Sequence, residues 1–176
     1  MVELLGRRVV LRAWRPDDRV AFRRMGADPR VMEFMPAPLA PDQADALADR
    51  LAAGVDARGW GLWALEIPGV APFAGFVGLN QPAVALPFGP CVEIAWRLDS
   101  AVWGRGYATE AAQAVLDYAF EVLALPEVVS FTAVVNARSQ AVMRRLEMVA
   151  DGQFDHPLLP EGHWLRRHVL YRKTAP

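Results

Sequence analysis

The stretch Trp103-Gly104-Arg105-Gly106-Tyr107-Ala108-Thr109-Glu110 stands between two regular patterns. Ahead of it, Cys91-Val92-Glu93-Ile94-Ala95-Trp96-Arg97-Leu98 is an apolar run of strand length. Behind it, Ala111, Val115, Leu116, Ala119, Phe120 and Leu123 recur at helical spacing as far as Leu125-Pro126. Two residues without side chains, at the point where a strand hands over to a helix, leave backbone N–H groups free to face outward. With the positive end of the helix dipole they form an anion site, most often for phosphate. A glycine pair is also ordinary turn punctuation, so Gly104 and Gly106 by themselves admit both readings.

The neighbouring residues narrow the ligand. A dinucleotide fingerprint places a third glycine three residues after the second, where this chain has Thr109, and it requires further βαβ units. A P-loop requires Gly-Lys followed by Ser or Thr, a triplet found nowhere in the chain. What remains is a pyrophosphate held by successive amides of a six-residue loop, reached along a strand that supplies further hydrogen bonds.

The 176 residues fit one domain, 1–176, long enough to bury a core without staples. A formal net charge of −1 gives no broad basic surface for nucleic acid or membrane. The one cysteine, Cys91, excludes an intramolecular disulfide, and its apolar surroundings predict a buried thiol. Met1 to Arg8 holds no apolar segment of signal-peptide length, and no run approaches the roughly 20 apolar residues of a membrane span. A cytoplasmic protein without nucleic-acid or membrane partners is the expectation. No carboxylate or cysteine cluster has ligand spacing, so no metal is expected.

Taken in order, Arg8–Arg12 reads as a strand, and Pro16-Asp17-Asp18 opens a helix through Val20, Phe22 and Met25. Val31, Phe34 and Met35 continue a second short apolar face before the proline-rich loop Pro36–Pro41. A helix runs from Pro41 to Arg58, with Ala44, Leu47, Leu51 and Val55 on one side, and Gly59 closes it. Trp60–Ile67 and Phe73–Leu79 form strands around the turn Pro68-Gly69. After the central strand, loop and helix come a strand at Val128–Val134 and a helix from Ala137 to Glu147. Strand-like pieces at Ala150–Phe154 and Trp164–Tyr171 follow. The order β, α, α, three strands, α, β, α, β, β predicts a mixed α/β (α+β) architecture.

In these residues the chain resembles the GNAT superfamily of acyl-CoA-dependent N-acyltransferases. The superfamily signature, Gln/Arg-x-x-Gly-x-Gly/Ala after the fourth strand, is matched at Gly106 and Ala108. Trp103 in place of Gln/Arg, within Trp-Gly-x-Gly-Tyr-Ala-Thr-Glu-Ala, resembles the branch that includes the ribosomal-protein N-terminal acetyltransferases. Asn136-Ala137-Arg138-Ser139, the opening Leu11-Arg12-Ala13-Trp14-Arg15-Pro16-Asp17-Asp18 and Phe76-Val77-Gly78-Leu79 are similar to that branch too. The resemblance covers nearly the whole chain. It implies a central, mostly antiparallel sheet of about seven strands with helices on both faces, and acetyl-CoA as acyl donor between splayed fourth and fifth strands. It implies donor contacts from the backbone near Ala95, Trp96, Arg97 and Leu98, from Trp103, Gly104, Arg105, Gly106, Tyr107, Ala108 and Thr109, and from Asn136 and Ser139. Two positions depart from the pattern. Met143 stands where many members have an acidic Tyr, and Glu147 where a helix-ending Gly is usual, which predicts mild left-handed strain.

Transfer to an amine requires a deprotonated nucleophile, donors for the developing oxyanion, and relief for the departing thiolate. Glu93, a carboxylate inside an apolar strand, is the candidate base; an outward Glu paired with an Arg is the other reading. Ser139 is the candidate acid, against a capping role; Asn136 orients the donor, caps the next helix, or both. Side-chain phosphate contacts are open to Arg105 and Arg144. His156, His163 and His168 all fall in the last segment, where one could relay protons. Trp60, Trp63, Phe88 and Trp164 are candidates for an aromatic acceptor wall, with core packing as their alternative. The acceptor is an amine of unspecified kind: a protein N-terminus, an amino acid, a polyamine or an aminoglycoside. A homodimer is compatible with all of this. The competing functions are a non-catalytic CoA-binding sensor or scaffold, and transfer of a larger acyl group such as succinyl.

Overall fold

The computed structural model describes residues 2–176. Its strands are β1 (Leu4–Leu5), β2 (Val10–Arg12), β3 (Leu62–Ile67), β4 (Ala71–Asn80), β5 (Glu93–Leu98), β6 (Glu127–Ala133), β7 (Val149–Asp155) and β8 (Arg167–Thr174). Its helices are α1 (Asp18–Ala27), α2 (Pro41–Arg58), α3 (Tyr107–Asp117) and α4 (Ala137–Arg145). One sheet holds all eight strands in the order β1-β2-β3-β4-β5-β6-β8-β7. Every neighbouring pair is antiparallel except β5 and β6, which run parallel and meet at Glu93 opposite Val129. The expected mixed, mostly antiparallel sheet is present, with eight strands where about seven were expected. The addition is the two-residue β1, too short to carry a period in the sequence.

The sheet's two faces are covered by different helix pairs. Phe22 and Met25 of α1 and Ala44 and Ala48 of α2 pack on Ala64, Phe73 and Phe76. On the other face, Ala111, Ala112, Val115 and Leu116 of α3 and Met143 of α4 meet Leu11, Trp63, Leu65, Val77 and Ile94. The residues of α1, α2 and α3 recur at helical spacing, which is why those helices lie flat on the sheet. Arg12, almost fully buried, ties β2 to α1 through two 2.9 Å bonds to Asp18 and to β3 through one of 2.7 Å to Glu66. That network explains why Arg12 and Asp18 occur together in the opening motif.

Several local expectations change. Val31, Phe34 and Met35 lie in turns rather than a regular element, and Cys91 precedes β5 and is only half-buried. The helix after Gly106 does not stay α-helical to Leu125. Its last turn, Tyr118–Val122, is a π-turn, and Ala124 stops it at φ 51°. The left-handed strain expected of Glu147 is present, with φ 59°. Among the described residues, no helix is long and apolar enough to cross a membrane.

Candidate active site

The site begins where β5 and β6 part. Consecutive residues of a strand direct their backbone groups to opposite neighbours. Asp99 N–H bonds the Ala74 carbonyl, so the odd-numbered residues of β5 serve β4. The even-numbered ones face β6, but β6 accompanies them only briefly. Val129 N–H reaches the Val92 carbonyl at 2.9 Å, and beyond it only the Ser130 hydroxyl bridges, donating to Ile94 C=O at 3.0 Å. At the far end the Trp103 indole N–H donates to Leu98 C=O at 2.9 Å. Between these two closures, Trp96 keeps both its N–H and its C=O for the gap, and Leu98 keeps its N–H. This revises the strand assignment: the backbone groups of Ala95 and Arg97 are engaged by β4, and Trp96 offers the free pair.

The gap runs into the glycine loop. Gly106 caps α3 at φ 83°, a left-handed value that suits a residue without Cβ. The first bond of the helix runs from Glu110 N–H to Gly106 C=O, 3.0 Å. Tyr107, Ala108 and Thr109 therefore have N–H groups without helical acceptors, directed out of the helix start. Arg8 braces this loop from the β1–β2 connection. It pairs with Glu110 at 2.7 Å, donates to Arg105 C=O at 3.2 Å and lies 4.7 Å over the Tyr107 ring. Nothing in the sequence near Arg8 signals this role, because its partners are about a hundred positions away.

Glu93, Ala95, Trp96, Arg97, Leu98, Trp103, Gly104, Gly106, Tyr107, Ala108, Thr109, Asn136 and Ser139 all line one cavity of about 1050 Å³. Arg105 is not among the lining residues, and Arg144 turns instead to the Tyr171 hydroxyl, 3.4 Å away. The arginines of α4 that do line the cavity are Arg138 and Arg145. Arg138 lies between the rings of Trp103, 4.8 Å, and Phe34, 5.3 Å, and pairs with Glu33, so it spans the cavity from α4 to the α1–α2 connection.

The polar groups inside divide by role. Asn136 caps α4, accepting from Ser139 N–H at 3.2 Å, while its amide NH₂ donates to Thr132 Oγ1 at 2.9 Å. Both ends of its side chain thus hold the protein together. Ser139 is not the cap: its Oγ accepts the Trp96 indole N–H at 3.2 Å, and its own proton is left to donate. Glu93 accepts one bond, from Asn80 Nδ2 at 3.3 Å. Burial pushes its carboxyl up to about 7 against the lowering effect of that bond.

The histidines are placed elsewhere. His156 and His168 stack 4.9 Å apart beside Phe131 and Phe154, burial lowers the pKa of both, and none of the three histidines lines the cavity. Nor do the four aromatics expected as an acceptor wall. Trp63 is core against Tyr118, Trp60 carries Arg58, Phe88 packs on Phe154, and Trp164 stacks outside Phe34. Phe34 and Phe76 are the rings that line the cavity on the α1–α2 side.

A family model described as an acetyltransferase (GNAT) domain matches residues 8–149. Over 51 residues the chain is 45% identical to FsC-acetyl coenzyme A-N(2)-transacetylase of Aspergillus fumigatus; the match covers 29% of this chain and 22% of that protein. A GNAT-family acetyltransferase from Bacillus anthracis aligns with a TM-score of 0.82 and 21% identity over 98% of both chains. RimL, a ribosomal L7/L12 alpha-N-protein acetyltransferase in complex with coenzyme A, aligns with a TM-score of 0.78 and 16% identity, over 99% of this chain and 98% of that one. At these identities the likeness to the solved structures is one of fold.

Proposed function

The chain belongs to the GNAT acetyltransferase family, and on that premise we propose that it is an N-acetyltransferase carrying an acetyl group from acetyl-CoA directly to a primary amine. The observation that carries this reading is the continuity of the gap. The free backbone of Trp96, the bare amides of Tyr107 to Thr109 and the Ser139 hydroxyl open into the same cavity. A pantetheine arm fits as an added strand segment on Trp96, and a pyrophosphate fits the α3 start. A Cβ at Gly106 would make only an ordinary 3.5 Å contact with the Arg8 guanidinium, so what a side chain there opposes is the left-handed φ of 83°.

The roles of the chain's own groups follow from their chemistry. Glu93, through a water, takes the proton that the ammonium form of the acceptor must lose. The freed lone pair attacks the thioester carbon, and the backbone N–H of Trp96 supplies a hydrogen bond as charge builds on the carbonyl oxygen. When the C–S bond breaks, the Ser139 hydroxyl, held by the Trp96 indole, gives the thiolate a hydrogen bond, and the second proton shed by the new amide nitrogen ends on the thiol sulfur. A thiol of pKa about 8.5 makes this assistance modest. Met143, buried beside the cavity, has no proton to offer.

The test is direct. The purified protein is incubated with acetyl-CoA and a panel of amines while free thiol is followed, with acetyl-CoA and succinyl-CoA compared as donors. Thiol release that depends on the amine and is faster with acetyl is the expected result. CoA binding without release above the hydrolysis blank would make the protein a sensor or scaffold instead.

A further inference from the structure

The side chains of β5 divide between the two faces of the sheet. Ile94, Trp96 and Leu98 pack on the α3 side, while Arg97 lies over the Phe76 ring at 5.4 Å, on the α1–α2 side where an acceptor would approach. Among the described residues, the only hydrogen-bonding neighbour of its guanidinium is the Met35 sulfur, 3.0 Å from Nη2 and a weak acceptor. Nη1 is sealed from solvent with no hydrogen-bond partner, and among the described residues no carboxylate pairs with Arg97. Arg12 is a useful contrast: more deeply buried than Arg97, it meets Asp18, Glu66 and the carbonyls of Ala13 and Pro72. A largely enclosed guanidinium that meets no oxygen is unfavourable, and a carboxylate, planar with two acceptor oxygens, is the partner that best matches its fork. Burial lowers the Arg97 pKa to about 10, which leaves it charged at neutral pH.

The charge of the cavity points the same way. Arg30, Arg50, Arg58, Arg97, Arg138 and Arg145 line it, and among the described residues Glu93 is its one carboxylate. Arg30 and Arg138 have partners in Asp28 and Glu33; the excess is still positive. Once the phosphates of CoA are bound that excess is largely neutralised, but Glu93 is still the one cavity carboxylate among the described residues, which leaves no carboxylate pair for an acceptor carrying several cationic groups. Around Arg97 the wall is apolar, built from Phe34, Met35, Leu47 and Phe76. We propose that the acceptor is a small molecule bearing an amine and a carboxylate, of the amino-acid class, and that Arg97 binds the carboxylate. This rests on the N-acetyltransferase reading for the amine's fate, while the carboxylate site itself can be tested by binding alone.

The experiment is titration calorimetry on protein saturated with CoA, using L-leucine, L-phenylalanine and L-lysine, each beside its primary amide. At least one of the acids is expected to bind tenfold or more tightly than its amide, in line with a charged hydrogen-bonded pair. Arg97→Gln should erase that preference while leaving amide binding and CoA affinity unchanged, and Arg97→Lys should keep part of it. Retained CoA affinity reports that the variants are folded. Equal affinity for acid and amide, no binding of any acid, or a preference that survives Arg97→Gln overturns the proposal. The same pairs run with acetyl-CoA separate the two readings. A carboxylate preference in binding without thiol release would retain the Arg97 site and remove the transferase.

Discussion

Glu93 owes its character to its position at the last residue where β5 and β6 still touch. There it has one neutral donor, Asn80, and no cation, so burial dominates and its carboxyl titrates at about 7 instead of 4.5. The sign of the consequence for folding is fixed by that direction. A carboxyl whose folded pKa is raised binds its proton more firmly when folded, so its contribution to stability is fully present below about 4.5 and is lost as pH rises through about 7. Glu93→Gln is therefore expected to melt higher than the wild type above pH of about 7, with the difference vanishing below about 4.5. In the same variant kcat/KM should fall by about 10²–10⁴-fold, the usual range for a general base, and lose the rise through neutral pH expected of the wild type. Thermal melts and pH–rate profiles of the two proteins check both. Superimposable profiles would make Glu93 a structural residue.

At the scale of elements, α4 is set at one end by Asn136 and at the other by a residue poorly suited to its place. Glu147 follows the helix at φ 59°, where Glu147 N–H bonds Arg144 C=O and Met148 N–H bonds Met143 C=O, both at 3.0 Å. The turn is the kind glycine favours, and the strain of a side chain there is about 1 kcal/mol. The exposed Glu147–Lys173 pair at 3.6 Å offsets little of it. Glu147→Gly should raise the melting temperature by about 2–4 °C for a domain of this size, without change in CoA affinity. A fall would mean the ion pair outweighs the backbone strain. Both caps of α4 were legible in the sequence, because capping is local chemistry. So was the glycine loop, where residue type and backbone conformation are tied. The end of α3 was not: its apolar period runs on to Leu125, while the backbone slips into a π-turn at Tyr118 under tertiary packing. The roles of the Arg8 and Arg97 side chains, and of Leu47 and Leu51 of α2 as cavity lining, were not legible for a related reason. Each acquires its surroundings from elements far away in the chain, and an arginine in isolation reads as solvated surface.

For the whole molecule, the decisive fact is that the sheet is nearly in two pieces. β4 and β5 stay paired from Gly75 to Asn80, and β6 and β8 from Glu127 to Ala133, whereas β5 and β6 share one register position. Arg138, reaching from α4 to Glu33 and Phe34, is one of the side chains that span the opening. A ligand that hydrogen-bonds along Trp96 and ends on the α3 amides would act as the missing strand segment and join the halves. At a hundredfold excess over Kd such a ligand adds about 2.7 kcal/mol of stability. That corresponds to a rise of about 5–11 °C in melting temperature at this chain length. Hydrogen exchange distinguishes joining the halves from mere binding. With CoA the amides of Trp96 and of Tyr107 to Thr109, which face the gap without protein partners, should slow the most. Those of β7, at the far edge of the sheet, should keep their rates. Thermal stabilisation without slower exchange at Trp96 would place the donor outside the gap. Because the side chains of Trp96 and Arg97 lie on opposite faces of β5, the Trp96 amide would stay protected by CoA in Arg97→Gln, even as that variant loses its preference for carboxylates.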